Sequence, residues 1–97
     1  MFPERTHALE IQRQSGQPFH LRELARLVLA ASSFQCSVQL IFESHRADCK
    51  SLLAIASLPL KRASSFKVEA CGSDARECLR AMALVMQDSF SPELNHF

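Results

Sequence analysis

The sequence predicts an α+β fold, a four-stranded sheet with three helices on one face. Three observations predict it. Stretches that alternate apolar and polar residues lie at 6–13, 37–42 and 65–71, the pattern of half-buried strands. Apolar residues spaced at the helical period follow from Leu21 and again from Ala75. A short apolar run at 52–58 is closed by Pro59. The resulting order is strand, helix, strand, strand, helix, strand, helix, which suits helices laid on one side of an antiparallel or mixed sheet.

Each element has its own signal. Residues 1–5 are a lead-in. In the first strand Leu9 and Ile11 alternate with Glu10 and Gln12. Ser15-Gly16-Gln17-Pro18 carries turn residues and reads as a loop. The first helix is expected over 21–32, with Leu21, Leu24, Ala25, Val28 and Ala31 on its inner face and Phe34 closing the core behind it. Val38, Leu40, Ile41 and Phe42 mark the second strand. Polar residues 43–46 then turn the chain into a short strand around Ala47-Asp48-Cys49. Lys50-Ser51 opens the short helix, and Pro59 ends it by removing a donor and crowding the preceding turn. Residues 61–64 are a loop. Phe66, Val68 and Ala70 alternate with Lys67 and Glu69 in the last strand. Gly72-Ser73-Asp74 is a turn and cap, with Asp74 and Glu77 at the spacing of a capping box. The last helix places Ala75, Cys78, Leu79, Met82, Val85 and Met86 on one face. The domain is expected at 1–88, with 89–97 a poorly ordered tail. There is no internal repeat and no linker.

Composition narrows the function classes. A chain of 97 residues has room for one domain and one modest core. Apolar residues make up 47% and the formal net charge is +1, which argues against a nucleic-acid binder with its basic excess. No apolar run reaches the length needed to span a membrane. Met1-Phe2-Pro3-Glu4-Arg5 lacks the charged-then-apolar order of a signal peptide. A cytoplasmic location is the expectation. Cys36, Cys49, Cys71 and Cys78 form no Cys-x-x-Cys and stand among apolar neighbours, so free thiols are expected. His7, His20, His45 and His96 are too scattered to suggest a metal site.

The candidate site is the run Pro18-Phe19-His20-Leu21-Arg22-Glu23-Leu24-Ala25. His20 stands at the start of the first helix. Backbone N–H groups there have no intrahelical acceptor, and the dipole favours an anion. A neutral imidazole is a nucleophile, and Arg22 offers a guanidinium fork to the same oxygens. The pattern fits a histidine that accepts a phosphoryl group; a histidine that only caps the helix is the plainer alternative.

Further residues extend this pattern into a family resemblance. The run at 18–25 is similar to the Gly-Leu-His-Ala-Arg-Pro-Ala-Ala motif of HPr, the histidine-containing phosphocarrier of the bacterial sugar phosphotransferase system. Lys50-Ser51-Leu52-Leu53 resembles that family's Lys-Ser before a short apolar helix, and Gly72 its glycine between last strand and last helix. The matches hold one register from Ile11 to Met86. The run from Phe66 to Gly72 also resembles the nitrogen-related branch. The resemblance implies an open-faced sandwich fold. It implies that His20 accepts a phosphoryl group on Nδ1 from phosphorylated enzyme I and passes it to an enzyme IIA, with Arg22 stabilising the oxygens. Leu21, Ala25, Leu52 and Leu53 are then the apolar docking face, and Ser51 the serine modified by a regulatory kinase in some members. The implied protein is a monomeric carrier rather than a stand-alone enzyme, and it needs no metal or organic cofactor.

Two departures bear on function. Pro18 stands where the family has glycine, and Glu23 where it has proline. A carboxylate in the first turn suits the helix dipole. At about 6 Å from a phosphoryl group it repels each unit of charge by roughly 0.7 kcal/mol in water-like surroundings and about 3 kcal/mol at an effective dielectric near 20. A second function is therefore kept beside the first: a regulatory or binding module that docks a partner without phosphoryl transfer. Ser51 likewise has a plainer reading as the N-cap of the short helix.

Overall fold

In the computed structural model the sheet is organised around the last strand in the chain. The structure describes residues 6–12, 19–60 and 65–90, with side chains described through 86. Strands β1 (Thr6–Gln12), β2 (Ser37–Phe42), β3 (His45–Asp48) and β4 (Ser65–Cys71) form one antiparallel sheet in the order β1-β4-β2-β3. Leu9 faces Val68 across one ladder and Leu40 faces it across the other. One sheet face therefore carries Ile11, Val38, Leu40, Phe66, Val68 and Ala70, all buried. Helices α1 (Leu21–Ser32), α2 (Leu52–Ala56) and α3 (Ala75–Phe90) contribute Leu24, Leu27, Ala31, Ile55, Ala75, Cys78 and Met82 to the same core. The period-two and 3.6-residue patterns meet there, as an α+β sandwich requires.

Several boundaries move from the sequence expectation. The third strand begins at His45, because β2 turns within the two residues Glu43 and Ser44, and Glu43 adopts a φ of 56°. α2 stops at Ala56, before Pro59. Ser57 caps it, with its Oγ donating to the Ala54 carbonyl at 2.7 Å. α3 runs through Phe90. The inner face of α1 is rotated from the expected one. Leu24, Leu27 and Ala31 are buried, Ala25 and Val28 are half-buried, and Leu21 is exposed. The expected lead-in, the loops at 15–18 and 61–64 and residues 91–97 of the tail lie outside the described residues.

Candidate functional site

His20 is the N-cap of α1, with extended backbone at φ −90° and ψ 159°. Its carbonyl already accepts the Leu24 N–H at 3.1 Å, while its imidazole makes no capping bond. The side chain is exposed. The histidine occupies the cap position without using its exposed ring for capping. Arg22, at the second helical position, is exposed as well.

What holds His20 in place is the residue before it. Phe19 is 1% exposed and packs edge-on against Phe66 of β4, ring centroids 4.8 Å apart. It precedes the cap, and Leu24, four helical positions in, is buried too. These are the positions of a hydrophobic staple, which fixes the angle at which the chain enters a helix. Phe19 thus anchors an otherwise exposed histidine to the sheet. The spacing of Phe19 and Leu24 about the cap is the sequence signal for this staple.

The expected docking residues lie on α1 and α2. Leu21 is 57% exposed and Leu53 86% exposed, while Ala25 and Leu52 are half-buried. Next to them, an apolar cavity of about 470 Å³ runs between Leu21 and Leu24 on one side and Ala56, Leu58 and Pro59 on the other. Ser51 caps α2, its Oγ accepting the Ala54 N–H at 3.2 Å. Lys50, just before it, donates from Nζ to the Phe34 carbonyl at 2.7 Å. That bond ties the start of α2 to the chain leaving α1.

The far end of α1 is fixed by a clamp that no local pattern announces. Asp74 does not act as the expected capping-box residue. Its Oδ2 accepts the Gln35 N–H at 2.8 Å and its Oδ1 the Cys36 N–H at 2.9 Å. Those two bonds, the Gln35 one foremost, hold its carboxyl below the ordinary aspartate range. Its partners are 39 and 38 residues away, so spacing alone points to the nearer Glu77. Gly72 lies against Cys36 at the same junction, with φ +148°.

The thiols are structural. Cys36, Cys49 and Cys78 are buried and Cys71 is half-buried, all four free. Burial, reinforced by the neighbouring Cys78 thiol, pushes Cys36 up to about 12. Burial pushes Cys49 up to about 12 as well. Such thiols carry little thiolate and are poor nucleophiles near neutral pH. Among the described residues no group of three or more His, Cys, Asp or Glu side chains could hold a metal ion, and no helix is long and apolar enough to cross a membrane.

Known proteins share this arrangement. Residues 6–88 match the family model described as PTS HPr component phosphorylation site. A phosphocarrier protein HPr of Lysinibacillus sphaericus is 29% identical over 69 residues, 71% of this chain and 78% of that protein. A phosphocarrier protein HPr from Bacillus anthracis superposes with a TM-score of 0.71 at 25% identity, over 82% of this chain and 95% of that one. The histidine-containing phosphocarrier protein of Mycoplasma superposes with a TM-score of 0.78 at 20% identity, over 86% and 94%, a likeness of fold alone. With a family match across every described element from β1 to α3, and the same open-faced sandwich in the solved structures, the chain belongs to the HPr family of the phosphotransferase system.

Proposed function

We propose that this chain is a phosphocarrier that accepts a phosphoryl group on His20 from enzyme I and gives it to an enzyme IIA. One observation carries the proposal: the imidazole at the α1 N-cap is exposed and makes no capping bond. In the transfer, the Nδ1 lone pair forms the new P–N bond while the phosphorus bond to the donor breaks. Arg22 and the open N–H groups of the first turn receive the phosphoryl oxygens. Leu21, Ala25, Leu52 and Leu53 are the docking face for both partners. The apolar cavity that exposed Leu21 lines supports that role. Ser51 is the point at which a kinase would control docking. The carrier unit is placed at 1–88, with 89–97 appended to it, and it works as a cytoplasmic monomer.

The test is direct. Incubation with phosphoenolpyruvate and its cognate enzyme I should yield an acid-labile phosphohistidine. His20→Ala should abolish it while leaving the circular dichroism spectrum unchanged, since no capping bond is lost. Label that persists on His7 or His45 in this variant overturns the assignment. The second reading, docking without transfer, is favoured by the Glu23 carboxylate beside the site. It takes over if the native chain binds enzyme I and acquires no label.

A further inference from the structure

Glu23 is the described residue of the first turn whose placement the carrier chemistry does not explain. It occupies the third helical position of α1, three residues after His20, where the family pattern has proline. His20 and Glu23 belong to the same first turn, which the Leu24 N–H closes onto the His20 carbonyl at 3.1 Å. A glutamate at this position commonly reaches back to the N-cap N–H. Here Oε1 is buried and accepts no hydrogen bond among the described residues, and the side chain as a whole is half-buried. A buried carboxylate oxygen with no donor keeps its field, because neither water nor a bound N–H offsets it. It is also the acidic residue in the first turn, where the positive end of the helix dipole lies.

We infer that Glu23 acts as an electrostatic brake on phosphoryl acceptance at His20. The carboxylate and the incoming phosphoryl group compete for the same positive helix end, and each repels the other. This inference rests on the carrier reading of His20. Glu23 does not touch phosphorus and forms no bond to it. It acts through the field at the acceptor, and through the lower stability of a dianionic product held beside a fixed negative charge. Proline at this position leaves the helix end free for phosphate, and glutamate occupies it in advance.

The size of the effect follows from charge and distance. One unit charge at about 6 Å changes the rate by about 3-fold in water-like screening and about 100-fold at an effective dielectric near 20. The half-buried position places Glu23 between these limits.

The experiment uses the full chain and two donors. One is phosphorylated enzyme I. The other is phosphoramidate, a small N-phosphoryl donor with no docking surface, which separates acceptor chemistry from docking. Glu23→Gln keeps shape and removes charge, so His20 should label at least about 3-fold faster with both donors. Glu23→Asp keeps the charge and should stay within about twofold of the native rate. The glutamine advantage should shrink as ionic strength rises from 0.05 to about 1 M, since screening shortens from about 10 Å or more to about 3 Å. Equal rates for native and glutamine chains, or an equal gain from glutamine and aspartate, overturn the brake while leaving the carrier reading intact. No label on any of the three chains with either donor overturns the carrier reading itself, and the brake with it.

Discussion

Gly72→Ala tests whether the junction between β4 and α3 holds the far end of α1. A Cβ built on Gly72 would lie 2.8 Å from the Cys36 Cβ and 2.9 Å from the Cys36 Cα. Non-bonded carbons settle at about 3.5–4.0 Å, so the overlap is more than half an ångström. One of the two atoms is backbone and the other is bonded to it, so neither can rotate away. Overpacking of this kind costs about 1–3 kcal/mol. The φ of +148° adds strain for any residue with a Cβ, about 1–3 kcal/mol. Alanine returns about 0.4–1 kcal/mol by restricting the unfolded chain. The net loss is about 1–5 kcal/mol, a large share of the stability of a small domain. Urea unfolding followed by far-ultraviolet circular dichroism should show a lower midpoint at unchanged slope, and Tm should fall by at least about 4 °C. A loss below about 1 kcal/mol would refute the close-packing account. His20 is at the other end of a 12-residue helix, about 18 Å away. Folded Gly72→Ala protein should therefore still accept phosphate at the native rate.

Two further perturbations probe other parts of the molecule. Ser51→Asp keeps an N-cap acceptor for α2 but adds a negative charge beside Leu52 and the exposed Leu53. It should slow acceptance from enzyme I severalfold with little change in Tm, and an unchanged rate would leave Ser51 as a helix cap only. The buried thiols predict alkaline sensitivity. The unfolded chain releases the Cys36 and Cys49 protons from about pH 9, whereas the folded chain holds them to about 12. Their contribution to stability is therefore full below pH 9 and is lost as pH rises from 9 toward 12. The urea midpoint should be flat between pH 7 and 8.5 and fall above pH 9, and a chain with both thiols replaced by alanine should fall less. Equal alkaline slopes in the two chains would refute the thiol account.

Local pattern made most of the fold legible. The α1 boundaries, strands β1, β2 and β4 and the two-layer arrangement follow from alternation and helical period, because each element buries one face in the same core. The position of His20 at the helix start was legible for the same reason. The rotation of α1 was not. Leu21 and Leu27 are equally apolar, and only the packing of α1 against α3 and α2 decides that Leu27 is buried and Leu21 exposed. Asp74 shows the other limit. Its spacing to Glu77 is a genuine capping signal, but two backbone N–H groups 38 and 39 residues away compete for the same oxygens and win. Register in the sheet brings Cys71 opposite Ser37, and hence Asp74 up to residues 35 and 36. No spacing rule contains that.

The site and the scaffold use different residues. His20, Arg22, Leu21 and Leu53 are exposed, so changing them tests chemistry and docking with little effect on folding. Phe19, Leu24, Leu27, Lys50, Gly72 and Asp74 hold α1 and α2 to the sheet from below and from the far end. Glu23 belongs to both sets. As an acid in the first turn it stabilises α1 by about 0.3–1 kcal/mol through the dipole. The same charge opposes a phosphoryl group at His20 by roughly 0.7–3 kcal/mol. Glu23→Gln removes that dipole gain but also relieves the burial of an unpaired carboxylate oxygen, so the two effects on Tm oppose each other while labelling becomes faster. Loss of a purely structural contact lowers stability without speeding the chemistry. Faster labelling by Glu23→Gln therefore separates a charge that acts on the acceptor from a side chain that serves the helix alone.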